Sequence, residues 1–183
     1  MPAQAEVCSF PYTISQRDVR YPRLEFRTGT LLVVLPKGQD EKRILKKYRQ
    51  WIDHKYQFIN DAVNAAQKLQ LESRSKEEFR RLVQVSIGNH SQELGSVPGR
   101  IFIKTMKTKW ASCSKKGNIT INSLVQYLPE RLIDYIIFHE MIHLNYRKHD
   151  ELFWKCIREK FQNTEEIEKN LCIYWFVVQR DQD

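Results

Sequence analysis

The string His139-Glu140-Met141-Ile142-His143 has the residue types and spacing to hold a metal ion and to activate water beside it. Residues four apart on an α-helix lie one turn above each other, so His139 and His143 can present two imidazole nitrogens to one ion. Glu140 falls next to them, placed to take a proton from water as a general base without becoming a ligand. His149 is the expected third ligand. Its distance from His143 is wrong for the same helical face, so it joins the site only if the helix ends and the chain turns back over Asn145 to Lys148. Glu151 and Glu159 are the rival third ligands, because zinc accepts imidazole or carboxylate. The bland alternative is a pair of hydrogen-bonded core histidines, and the clustering of His139, His143 and His149 weighs against it.

The elements around these residues must position them. Leu132, Ile136, His139 and His143 share a narrow arc at helical spacing, Ile133, Ile137 and Leu144 extend it, and Phe138, Met141 and Ile142 occupy the rest. A helix apolar nearly all round is a buried one. It is expected from about Pro129, which suits a first turn, to Arg147. Asp150 is a plausible N-cap for a following helix carrying Leu152, Phe153, Trp154, Ile157 and Phe161. A last amphipathic segment runs from Thr164 to Val178.

Upstream, Val19–Arg27 and Thr30–Leu35 read as a hairpin around Thr28-Gly29. Asp40 can cap a long helix reaching about Leu71, with Ile44, Tyr48, Trp51, Ile52, Ile59, Val63 and Ala66 at helical spacing. Lys42, Arg43, Lys46, Lys47 and Arg49 crowd its first half and read as a solvated face. A second helix, from about Phe79 to Leu94, weakens near Gly88. His90 on it is expected at the surface or at a cap, and His54 has no ligand-type neighbour either. Arg100 to Lys109 alternates as a strand, and with Ile119 and Ile121 across the Lys115–Asn118 turn it makes a second hairpin just before the metal helix.

With 183 residues and 42% hydrophobic content, the chain can bury one sizeable core and is expected to form a single domain. Its apolar runs are too short to span a bilayer, so no membrane is expected. Met1 to Phe10 lack the basic start and apolar core of a signal peptide, which makes the expected address cytoplasmic. Cys8, Cys113, Cys156 and Cys172 are widely spaced and form no Cys-x-x-Cys pair, so neither a thiolate zinc cluster nor a redox motif is indicated. The net charge of +8 fits a polyanionic partner or simple solubility and decides nothing alone.

Lys107-Thr108-Lys109-Trp110-Ala111-Ser112-Cys113-Ser114, then Gly117-Asn118-Ile119, Asn122, Leu128-Pro129 and His139-Glu140 through His149 and Phe153-Trp154 follow one another in a set order. In this the chain resembles the YgjP-like metallopeptidases, single-domain zincins related to the SprT-like and WLM families. The resemblance is most specific over Arg100 to Trp154. It implies an α+β zincin-like fold: a small antiparallel sheet of hairpins packed with helices, around a central metal-binding helix. Within 1–183 the parts would be an N-terminal hairpin and helices over 19–94, a metal-binding core over 100–161 and a C-terminal helix over 164–178. The resemblance further implies one zinc ion on His139, His143 and His149, with Glu140 activating water. Ala111 stands where the family usually has Gly, and Asp150 where it often has Ser. Tyr146 occupies the place of a turn-making Gly in metzincins, which have the same His spacing.

The expected function is therefore a zinc-dependent metallopeptidase acting on a peptide or protein substrate. Tyr146, Tyr135 and Arg147 are candidates to stabilise the oxyanion by nearness in sequence, and Asn122 and Ser112 are candidates to orient the histidines. Trp110 is expected in the core. The strand from Ile101 to Lys109, or its partner around Ile119, is a candidate open edge for an extended substrate. The alternative from another class is a nucleic-acid-associated zinc protein, or a protease acting on DNA-bound proteins. It is motivated by Arg100, Lys104, Lys107, Lys109, Lys115 and Lys116 beside Trp110.

Overall fold

The computed structural model describes residues 12–27, 30–66 and 69–180. The chain divides into two compact units, 1–68 and 69–183.

In the first unit, β1 (Tyr12–Arg17), β2 (Arg23–Arg27) and β3 (Thr30–Pro36) form one sheet in the order β1-β3-β2. The β2–β3 pair is the expected hairpin, with Arg27 opposite Thr30. Its turn residues, Thr28 and Gly29, lie outside the described residues. β1 was not expected, and it pairs with β3 in parallel, Tyr12 opposite Leu31. The anticipated long helix is two, α1 (Glu41–Lys47) and α2 (Arg49–Ala66), broken at Tyr48. Asp40 caps α1 by accepting from the Lys42 N–H at 3.0 Å. Leu31, Val33, Leu35, Leu45 and Ile52 make this unit's core. Lys42, Arg43, Lys46, Lys47 and Arg49 are exposed, as a solvated face requires.

The second unit begins with α3 (Lys76–Leu94). A capping box closes its start, in which Ser75 accepts from the Glu78 N–H and Glu78 accepts from the Ser75 N–H. It runs straight through Gly88 and ends at Gly95, whose φ of 61° suits a residue without Cβ. A second three-stranded sheet follows, with β4 (Ile101–Lys104), β5 (Ala111–Cys113) and β6 (Ile119–Asn122) in the order β4-β6-β5. Here the sequence expectation needs correction, because the strand starting at Arg100 stops at Lys104 and runs parallel to β6. The hairpin partner of β6 is β5, Ala111 opposite Ile121. Each sheet therefore contains one parallel pair, although the α+β architecture stands.

Asn122 explains the early stop of β4. It is fully buried, its side-chain N–H groups donate to the carbonyls of Met106 and Lys109 at 2.8 Å each, and its Oδ1 accepts from the N–H groups of Met106 and Leu124 at 3.2 Å. Three of these four bonds hold residues 105–110 as a folded connector, which prevents a continuous strand. After a 3₁₀ turn at Ser123–Tyr127 come α4 (Glu130–Ile142), α5 (Glu151–Lys160) and α6 (Thr164–Arg180). α4 is buried on nearly every side, Ile133, Ile137 and Met141 being fully inaccessible. It packs among α3, β5, α5 and α6. Pro129 stands at its N-cap, with Leu132 and Ile133 donating to the Pro129 carbonyl.

Candidate metal and catalytic site

α4 ends earlier than expected, at Ile142, with His143 as its C-cap. The chain then tightens, Leu144 donating to Met141 at 3.0 Å and Tyr146 to Ile142 at 2.9 Å. His143 fixes this turn itself, since its Nδ1 donates to the Tyr146 carbonyl at 2.9 Å. A carbonyl can only accept, so this bond puts the proton on Nδ1 and leaves Nε2 as a bare lone pair. Asp150 caps α5 as expected, accepting from the Phe153 N–H at 3.2 Å. The residue just before that cap is His149.

These two local events bring the three histidines together. The ring centroids of His139 and His143 are 5.2 Å apart, those of His139 and His149 5.0 Å, and those of His143 and His149 4.7 Å. One nitrogen from each lies within 4.8 Å of the others, a group able to hold a metal ion. The Nε2 atoms of His139 and His149 face each other at 3.0 Å. Glu151 and Glu159 lie on the exposed face of α5, paired with Arg158 at 2.5 Å and Lys155 at 3.8 Å. Neither belongs to the cluster. The Phe153 ring, fully buried, lies against all three imidazoles at centroid distances of 4.5 to 4.9 Å.

The electrostatics suit a cation. Burial pushes the His139 imidazole down to about 3, helped by His143 and His149. Burial also lowers His143, against the Tyr146 carbonyl that raises it. A neutral imidazole is the ligand form. Three imidazole donors around one point, one with its tautomer set by the backbone, fit a divalent transition metal.

Glu140 is 8% exposed. Burial pushes its carboxyl up to about 7, opposed by a hydrogen bond from the Cys113 N–H and by the charge of Lys109. Beside His139 and Glu140 opens a cleft of about 230 Å³. Its walls come from the β5 side, with Lys109, Trp110 and Ala111, and from α4 and α6, with Tyr135, Ile136, Glu168 and Leu171. Trp110 is half-buried and lines this cleft, so it is less interior than the sequence suggested. A larger cavity of about 580 Å³, lined in part by Arg74, Arg131 and Asp134, contains none of the three histidines.

Several expected roles change. The candidate open edge is β5, which adjoins Glu140, whereas β6 is central and β4 forms the other edge of the sheet. The hydrogen bonds of Asn122 go to the 105–110 connector and Leu124, so it positions the chain entering β5 instead of orienting a histidine. The Arg147 guanidinium donates to the carbonyls of Ser114 and Lys115 at 2.8 and 3.1 Å, tying the β5–β6 turn to the loop between His143 and His149. The buried Tyr135 hydroxyl donates to Glu168. His90 is not at the surface. It is 2% exposed, its Nε2 meets Asp134 Oδ1 at 2.8 Å, and Ser86 donates to the same oxygen at 2.6 Å. His54 is exposed on α2. Sequence reasoning missed Glu168 and Trp175, which belong to no motif and reach the site only through the packing of α6.

A family model described as YgjP-like, metallopeptidase domain, matches residues 32–173. Among solved structures, the chain is similar to the metallopeptidase zymogen of Pyrococcus abyssi abylysin, with 29% identity over 49% of this chain and 90% of that one, at a TM-score of 0.45. It is also similar to the metallopeptidase zymogen of Methanocaldococcus jannaschii jannalysin, with 28% identity over 57% of this chain and 94% of that one, at a TM-score of 0.45. A comparison with curated proteins finds no significant match. Among the described residues, no helix is long and apolar enough to cross a membrane.

Proposed function

Because the chain belongs to the YgjP-like metallopeptidase family, we propose that it hydrolyses peptide bonds with one zinc ion held by His139, His143 and His149 and with Glu140 as general base. The single observation that carries this reading is the convergence of three imidazole nitrogens within 4.8 Å, next to a buried carboxyl group. The family match runs across both compact units, which supports one functional domain.

Zinc bound there supplies a Lewis acid for the peptide carbonyl and lowers the pKa of a water molecule. His143 would offer its Nε2 to that ion, because its Nδ1 is committed to the Tyr146 carbonyl. Glu140, aimed by the Cys113 N–H, accepts a proton from the attacking water and returns it to the leaving amine nitrogen. β5 is the edge strand beside Glu140, so an extended substrate can lie along it as an added strand. Arg147 and Tyr135 already hold partners, which leaves Tyr146 the less committed of the three oxyanion candidates.

The test is a peptide-library digest with protein stripped by chelator and then reloaded with zinc. The reading requires cleavage that disappears on stripping and returns on reloading. Cleavage that survives complete removal of metal would contradict it.

A second reading, nucleic-acid binding, draws support from the exposure of Arg100, Lys104, Lys107, Lys109, Lys115 and Lys116. Oligonucleotide retention that weakens steeply with salt would favour it. The absence of retention at low salt would remove it.

A further inference from the structure

The cleft lined by His139 and Glu140 has an apolar body, and besides Glu140 its one further carboxyl group is that of Glu168. Trp110, Ile136 and Leu171 line it, and Trp110 is steadied edge to face against Trp175 with 4.8 Å between ring centroids. Glu168, exposed on α6, borders the same space. Its carboxylate accepts from the hydroxyl of Tyr135, whose ring is 1% exposed and cannot move away. One phenol bond uses one of about four lone-pair positions on an ionised carboxylate. Glu93, Glu151 and Glu159 each pair with a lysine or arginine, whereas among the described residues Glu168 pairs with none. Lys109 also lines the cleft, and its charge acts on Glu140.

We propose that this cleft is a substrate subsite for a side chain with a long aliphatic stem and a cationic end, lysine or arginine, and that Glu168 is its counter-charge. The stem would lie along Trp110, Ile136 and Leu171, and the cation would take the lone pairs that Tyr135 leaves open. A volume of about 230 Å³ suits one side chain and not a folded partner. The inference rests on the peptidase reading only for what reacts next to the subsite. A free N-terminal amine offers the same ammonium chemistry, but it lacks the methylene stem that the apolar walls would cover.

The experiment uses peptides identical except at the positions flanking the cleaved bond, which carry lysine, arginine, norleucine or glutamate, each with a free and an acetylated N-terminus. Zinc-loaded wild type is expected to favour lysine or arginine over norleucine at one position by about tenfold or more in kcat/KM, the scale of a charge-assisted hydrogen bond. In Glu168→Gln that ratio should fall to within about threefold of unity, and in Glu168→Lys it should turn toward glutamate. Equal rates for lysine and norleucine in wild type, or an undiminished ratio in Glu168→Gln, overturn the proposal. A preference abolished by acetylation also overturns it, in favour of the free amine.

Binding of the same peptides to Glu140→Gln, read by fluorescence anisotropy, probes the subsite without turnover. Tighter binding of the lysine peptide that is lost in Glu140→Gln/Glu168→Gln supports the proposal, and equal affinities overturn it. If wild type cleaves nothing while the binding preference stands, the hydrolytic reading fails and the subsite survives. If peptides are cleaved without preference, the subsite alone fails.

Discussion

The Nδ1 of His143 donates to the carbonyl of Tyr146, three residues on, at 2.9 Å. This bond sets the His143 tautomer and, with the backbone bonds from Leu144 and Tyr146 to Met141 and Ile142, closes the turn after which His149 rejoins the cluster. Tyr146 performs this with its backbone, so the turn does not need the glycine found there in metzincins. Replacing His149 with alanine should leave the helices intact, since its side chain caps nothing. Zinc affinity should nevertheless fall by at least about two orders of magnitude, because loss of an outer-shell partner alone commonly costs 10- to 100-fold. Zinc titration against a competing chelator measures this, and an unchanged affinity would remove His149 from the site.

Phe153 lies against all three imidazoles and is itself fully buried. Phe153→Ala should lower the unfolding free energy by about 3–5 kcal/mol, through lost transfer energy plus the cavity left behind. Denaturant unfolding of the metal-free protein isolates this effect from metal binding. A loss under about 1 kcal/mol would mean that the ring does not support the core around the site as described.

Asn122 satisfies the backbone of residues 105–110 from inside the core. Asn122→Ala strands the carbonyls of Met106 and Lys109, and each unpaired buried group costs about 1–3 kcal/mol. The expected destabilisation is therefore about 2–6 kcal/mol, with amide exchange in the connector and β5 rising more than in α5. Uniform exchange changes throughout the second unit would speak against a local clamp.

How much of this was legible in the sequence follows from the range of each interaction. The His139/His143 pairing, the Asp150 cap and the β2–β3 register depend on residues a few positions apart, and spacing alone exposes them. β1 was invisible because its partner is a parallel strand reached only across β2. The alternation over Arg100–Lys109 looked like one strand because Asn122, which interrupts it, is sixteen residues from Met106. His90 read as a surface residue because Asp134, its partner, lies 44 residues away on another helix. Glu168 gave no signal at all, as an exposed glutamate on an amphipathic helix looks like any other until α6 is packed.

The Ser86–Asp134–His90 cluster gives the second unit an acid-sensitive element. Burial pushes the Asp134 carboxyl up, but hydrogen bonds from His90 and Ser86 outweigh it and hold the group below its ordinary value. A carboxyl group depressed in the folded state stabilises fully above its unfolded pKa, near 3.9, and loses that contribution as pH falls through the folded value. Asp134→Asn should therefore be less stable than wild type at pH 7, with the gap closing below about pH 4. Urea unfolding at stepped pH measures it, and a gap that stays constant or widens on acidification would refute the linkage.

The most direct measurement on the central claim compares Glu140→Gln with wild type for zinc content and peptide cleavage in the same preparations. The account requires about one zinc per chain in both proteins and a cleavage rate lower by about a hundredfold or more in the variant. Undiminished cleavage by Glu140→Gln, or a wild type that takes up no zinc, would contradict it.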